Sequence, residues 1–208
     1  MTKLSLATLP EIAKTLRVPT YARSSLKAGI MHFGVGNFHR AHLAVYLDDL
    51  FNLGLDHGWA LVGAGVMPSD EAMRQRLVAQ DYLTTVVEQD NELSTAHITG
   101  PLIDFVSPND KSAMMARLCD PEIRIVSLTI TEGGYFIDPA TGKFNPEHPA
   151  IAHDGANPHD PKTVFGFIVA GLAARRATGV AAFTVMSCDN VPHNGVVTKI
   201  AVVGLADL

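Results

Sequence analysis

A chain of 208 residues, 47% hydrophobic and 18% charged, holds enough apolar material for a sizeable core. Its formal net charge of −5, with no Lys/Arg block, argues against a nucleic-acid partner, and its short, interrupted apolar runs offer no membrane span. Two cysteines, Cys119 and Cys188, cannot build a disulfide scaffold, and the N-terminus lacks an export signal, so a reduced, cytoplasmic setting is expected.

Residues 1–26 read as a polar preface with a short amphipathic piece over 9–16, ended by Pro19. Residues 29–33 are predicted as a short apolar strand. Residues 38–53 have helical spacing, with Leu43, Leu47, Leu50 and Leu53 on one stripe and Gly54 closing the helix. Residues 59–66 read as a second buried strand and 69–80 as a helix. Residues 82–88 and 95–106 look like less regular strands, with a hairpin around Asp90-Asn91. A helix is expected over 109–118, capped by Asn109 or Ser107. Residues 123–130 form a β-branched strand, 163–177 a helix, 181–187 a strand and 193–205 a last apolar helix. Residues 138–161, rich in Pro, His, Asn and Asp, read as a long surface loop. This alternation predicts an α/β fold with a largely parallel sheet and helices on both faces.

The first strand runs into IMHFGVGNFHRAH, residues 30–42. Strand, Gly34-x-Gly36, then helix is the placement of a dinucleotide-binding turn, which makes the fold Rossmann-like. Gly34 permits a sharp turn, Gly36 lets a pyrophosphate approach the backbone, and the helix N-terminus offers unpaired N–H groups. His39 stands where such a fingerprint has its third glycine. It must therefore splay the helix or point outward, with Arg40 then free to meet a phosphate. The alternative is a glycine turn that serves the fold alone. Asp70, after the second strand, is the candidate to hold the adenosine ribose, although Asp70 or Ser69 would equally cap the next helix. Arg74 and Arg76 instead suit a 2′-phosphate, so NAD over NADP is a lean.

Two more candidates follow later strands, where an open parallel sheet places its ligand crevice. Glu132, in TITEGGY, is suited to relay protons, and Asn190, in MSCDNVPHNG, to hydrogen-bond a substrate oxygen. Both segments are also ordinary turn chemistry. Cys188 with His193 lacks a group to orient the histidine. His148, His153 and His159 match no zinc template, so no metal is expected.

The segments GVGNFHRAH, DYL, EIRIVSLTITEGGY, PKTVFGFI and FTVMSCDNVPHNG together resemble the mannitol dehydrogenase family, the polyol-specific long-chain dehydrogenases and reductases. The similarity runs from about Gly29 to Thr198. It implies a metal-independent enzyme interconverting a polyol and a ketose with NAD, most closely D-mannitol and D-fructose. A fructuronate or arabinitol type, or a non-catalytic NAD-binding module, are the alternatives. By the same resemblance, Gly34, Gly36, Asn37, Phe38, His39 and Arg40 fall in the cofactor turn and Asp70 at the acidic position. Glu132 matches the family's proton-path acid and Asn190 its substrate-contacting asparagine. The family's catalytic lysine belongs to a second, mainly helical domain whose signature is absent here, and Lys199 matches no such motif. The expectation is an N-terminal NAD-binding domain over 1–208, a fragment or a truncated product that is inactive alone.

Overall fold

In the computed structural model, which describes residues 3–90, 92–138 and 140–208, the chain forms seven labelled helices and seven strands in the order that follows. They are α1 (Leu9–Ile12), β1 (Ala28–Phe33), α2 (Ala44–Asn52), β2 (Ala60–Ala64), α3 (Pro68–Val78), β3 (Thr84–Gln89), β4 (Ser94–Thr99), β5 (Leu102–Phe105), α4 (Lys111–Cys119), β6 (Ile125–Leu128), α5 (Pro149–Ala156), α6 (Val164–Thr178), β7 (Thr184–Ser187) and α7 (Asn194–Ala206). Every residue of β1 and β2 is buried, as expected of strands covered on both faces. They lie inside a five-stranded sheet ordered β5-β2-β1-β6-β7, with all pairs parallel. This is the Rossmann order, and the chain reverses direction across the sheet between β1 and β6.

Alternate residues of β1 serve different cores. Ile30 packs with Ala44, Leu61, Leu77 and Phe105 on the α2–α3 face. Met31 and Phe33 pack with Met114, Leu118, Phe165 and Ile168 on the α4–α6 face. Each fully buried side chain of this size contributes about 1.5–3 kcal/mol. The register then sets the site: Phe33 lies opposite both Ala64 and Leu128, and Leu128 opposite Ser187. The loops opening at Gly34, Gly65, Thr129 and Cys188 therefore leave the sheet level with one another.

Several expected elements shift. The buried ridge of the first long helix is Ala44, Asp48 and Phe51, while Leu53 of the expected stripe is 74% exposed. The strand expected over 95–106 is two strands. Gly100 and Pro101 break it, so that β4 pairs antiparallel with β3 and β5 joins the main sheet. Asn91, of the expected hairpin turn, lies outside the described residues. The cap of α4 is Asp110, whose carboxylate accepts from Ala113 N–H at 2.8 Å, not Asn109 or Ser107. The expected loop over 138–161 contains α5, held because Ile151 and Asp154 are buried. The Asp154 carboxylate accepts from the N–H groups of Lys162 and Thr163 at 2.8 and 2.9 Å. Among the described residues, no helix is long and apolar enough to cross a membrane.

Candidate functional site

Gly34 and Gly36 are glycines for different reasons. Gly34 has φ +92°, and a Cβ there would stand 2.1 Å from the Thr129 carbonyl oxygen. Both facts make glycine a requirement of the fold. Gly36 is exposed, its φ lies outside the left-handed range, and a Cβ would meet nothing nearer than Gly34 O at 3.8 Å. The protein itself would accept alanine there. Space left open beside an exposed turn at the end of β1 is what a ligand's close approach requires.

After the first helical residues, Asn37 and Phe38, the helix opens into a π turn, His39–Leu43, before α2. Of the two alternatives for His39, a splayed helix or an outward-pointing ring, the ring does not point outward, and the helix opens into a π turn instead. The His39 ring is fully buried and stacks on His32 of β1, centroids 4.1 Å apart. The wider turn gives the imidazole room between helix and strand, where a third glycine would otherwise allow close contact. Neither ring nitrogen of His39 has a hydrogen-bond partner among the described residues. Burial, then the neighbouring His32 and Arg40, holds its pKa well below the usual histidine range. Arg40 also holds the turn: its guanidinium donates to Val35 O at 3.0 Å and to Asn37 Oδ1 at 2.7 Å. Phe38 is half exposed and stacks on His42 at 4.6 Å.

Asp70 does cap α3, as the alternative held: its Oδ2 accepts from Met67 N–H at 2.8 Å. It also lines a cleft of about 460 Å³ that Gly34, Gly65, Met67 and Thr129–Thr131 share. The two roles are compatible, since Oδ1 has no hydrogen bond among the described residues. A Cβ on Gly65 would lie 2.2 Å from the carboxyl carbon, so glycine there makes room for Asp70. Arg74 is tied to Phe105 O and Glu71, leaving Arg76 exposed. His148 and Lys162 line the opposite wall of the cleft. Sequence reasoning missed this wall: His148 lay inside the presumed loop and Lys162 directly after it.

Glu132 and Asn190 are both exposed, on loops that leave the paired strands β6 and β7. Asp189 ties those loops together. Its carboxylate accepts from Ile130 N–H and Thr131 N–H, each at 3.0 Å, and from the Tyr135 hydroxyl at 2.7 Å. Thr131, just before Glu132, is held at φ +66°, ψ 163°, a conformation that costs about 1–3 kcal/mol and needs such fixing. Asn194 donates to Ser187 O and Asp189 O, closing the second loop. Cys188 is half-buried, and burial with the nearby Asp189 pushes its thiol pKa up, the wrong direction for a nucleophile. Asp189 escaped notice in the sequence because a loop aspartate beside asparagine carries no spacing signal.

Residues 28–208 match the family model of the mannitol dehydrogenase Rossmann domain. A mannitol 2-dehydrogenase of Cereibacter sphaeroides is 54% identical over 198 residues, covering 95% of this chain and 41% of that protein. One from Pyricularia oryzae is 45% identical over 204 residues, with the same coverage. Among solved structures, the Pseudomonas fluorescens mannitol 2-dehydrogenase ternary complex with NAD and D-mannitol superposes with TM-score 0.95 at 46% identity, covering 99% of this chain and 42% of that one. A D-sorbitol dehydrogenase in substrate-free form gives 0.91 at 41% identity, covering 98% and 43%. The chain thus spans about 41% of the length of the curated relatives it matches.

Proposed function

The chain belongs to the mannitol dehydrogenase family, and from that premise we propose that it is the NAD-binding part of an oxidoreductase interconverting a polyol and a ketose, most closely D-mannitol and D-fructose. The observation that carries the cofactor reading is Gly36, a glycine for which the fold itself has no use. The residues fit the group. The turn at Gly34–Asn37 and the first helical N–H groups would take the pyrophosphate. The Asp70 carboxylate at the cleft edge would accept from the ribose hydroxyls and repel a 2′-phosphate, which supports NAD over NADP. His39, Arg40 and Phe38 act from behind and beside the turn, by stacking and bracing it.

NAD supplies the hydride acceptor. The remaining chemistry is removal of the hydroxyl proton and orientation of the carbinol. In this reading Asn190, on the loop after β7, would donate its amide to the substrate oxygen, and Glu132, after β6, would pass the proton toward solvent. Both side chains are exposed, so a polyol would be neither enclosed nor held by these residues alone. Positioning accounts for roughly 7–11 kcal/mol of a barrier, so the 208-residue chain is expected to bind NADH and oxidise no polyol detectably. The assay is NADH formation with mannitol, arabinitol and sorbitol, alongside fluorescence titration with NADH and NADPH. Clear turnover would mean that a complete catalytic set lies within these residues, and failure to bind either cofactor would overturn the proposal. The likeness to a D-sorbitol dehydrogenase favours a second reading in which another hexitol is the substrate. The two free thiols support a reducing, cytoplasmic setting.

A further inference from the structure

His32 is a histidine in the middle of an otherwise apolar buried strand, fully enclosed. Its Nδ1 lies 2.7 Å from Ser127 Oγ and its Nε2 2.9 Å from Thr129 Oγ1. Thr129 Oγ1 in turn donates to Gly34 O at 2.6 Å. These distances, with a neutral ring, fix the direction of each proton in the chain. A carbonyl only accepts, so the single Thr129 hydroxyl proton goes to Gly34 O. His32 Nε2 must then carry the hydrogen it gives to Thr129, and Nδ1 accepts from Ser127. Such an arrangement requires a neutral ring, and burial, which outweighs the Gly34 backbone contact, pushes His32 down to about 3.

The relay ends on the atom that shapes the turn. Gly34 O accepts twice, from Thr129 Oγ1 and from Gly36 N–H, both at 2.6 Å. Across a trans peptide the carbonyl and the next N–H point in opposite directions. Holding Gly34 O therefore aims Val35 N–H, which has no hydrogen-bond partner among the described residues. The stacked His39 ring covers His32 from the helix side, so the same imidazole locates both the turn's carbonyl and the start of the helix.

We propose that His32 and Thr129 are positioning residues for the cofactor turn: the Ser127–His32–Thr129 relay pins Gly34 O, and the His32–His39 stack takes over the work of the missing third glycine in registering helix against strand. This rests on the NAD-binding reading, and the test separates the two. Thr129→Val removes the hydroxyl at constant volume, whereas Thr129→Ser keeps it. NADH affinity should fall about tenfold in Thr129→Val and stay within about twofold of wild type in Thr129→Ser, and Gly36 amide exchange should quicken only in the valine variant. Wild-type affinity in Thr129→Val, or equal loss in both variants, would overturn the positioning role. If wild type binds neither NADH nor NADPH, the NAD-binding reading fails, and Gly36 exchange alone decides whether the relay holds the turn: unchanged exchange in Thr129→Val rejects it. Should Thr129→Val not fold, Ser127→Ala carries the same test at the outer end of the relay. A roughly threefold loss of affinity with faster Gly36 exchange would support the role, and no change in either would reject it.

Discussion

Replacing Gly36 by Val adds a branched side chain at a position whose Cβ site is open, so its effect is expected to fall on the ligand. NADH affinity should drop more than tenfold, about 1.4 kcal/mol, while the melting temperature stays close to wild type; unchanged affinity in a stable variant would place the phosphates elsewhere. Asp70 has two jobs that substitution can part. Asp70→Ala should lose about 1 kcal/mol with its cap and, by the ribose role, its preference for NADH over NADPH. Asp70→Asn keeps an acceptor for Met67 N–H, so it should recover most of the stability but not the cofactor preference. Titration with both cofactors and urea unfolding check both halves. The histidine pair gives a pH signature. His32 is near 3 when folded and near 6.5 when unfolded, so below about pH 6.5 the unfolded chain takes up a proton that the folded one refuses. Stability should be level above pH 7 and fall by about 1.4 kcal/mol per pH unit on acidification toward pH 3 for His32, with His39 adding in the same direction. Urea unfolding at pH 7 and 5, before most carboxylates titrate, measures this; a flat profile would show a ring that titrates as in the unfolded chain, and a rise in stability on acidification would show a charged one.

At the scale of the element, loops here are held by single carboxylates. Asp110 starts α4, Asp154 fixes the approach to α6, and Asp189 joins the loops after β6 and β7. Asp189→Ala would leave Ile130 N–H, Thr131 N–H and the Tyr135 hydroxyl without their acceptor. A loss of about 2–3 kcal/mol is expected, with faster amide exchange confined to 130–135; exchange unchanged there would remove Asp189 from its clamping role. Apolar runs bounded by glycine or polar residues made β1, β2, α6 and α7 legible, because their burial leaves a composition signal. Periodicity failed for the first turn of the α2 region, since a π turn shifts the buried face by a fraction of a residue per turn. It failed also for α5, whose eight residues include Pro149, Gly155 and Asp154. There the helix depends on burial of Ile151 and on the Asp154 hydrogen bonds, and both partners lie outside the helix.

Across the whole molecule, the α4–α6 layer is locked to the sheet by Arg175 of α6. It is buried and donates to the carbonyls of Leu118, Asp120, Ile123 and Ala181, joining the end of α4 to the entries of β6 and β7. Burial lowers its pKa but leaves it a cation meeting four carbonyl dipoles. Arg175→Ala should cost about 3 kcal/mol or more, visible as a large drop in urea midpoint, and a loss under 1 kcal/mol would show that other contacts carry this junction. The strand-helix alternation and the glycine turn were enough by themselves to give the α/β class and the parallel sheet, because each is a local pattern with its own period or spacing, while the family came from the resemblance of the motifs taken in order. What the tertiary structure alone decided is which way side chains face and what they meet. His39 turns inward because His32 lies beneath it, Arg40 holds the turn it follows, and Asp189 reaches a loop 58 residues away in sequence. Those pairings come from strand register, which sets residues from distant segments level at one sheet edge, and no spacing within a single segment encodes that.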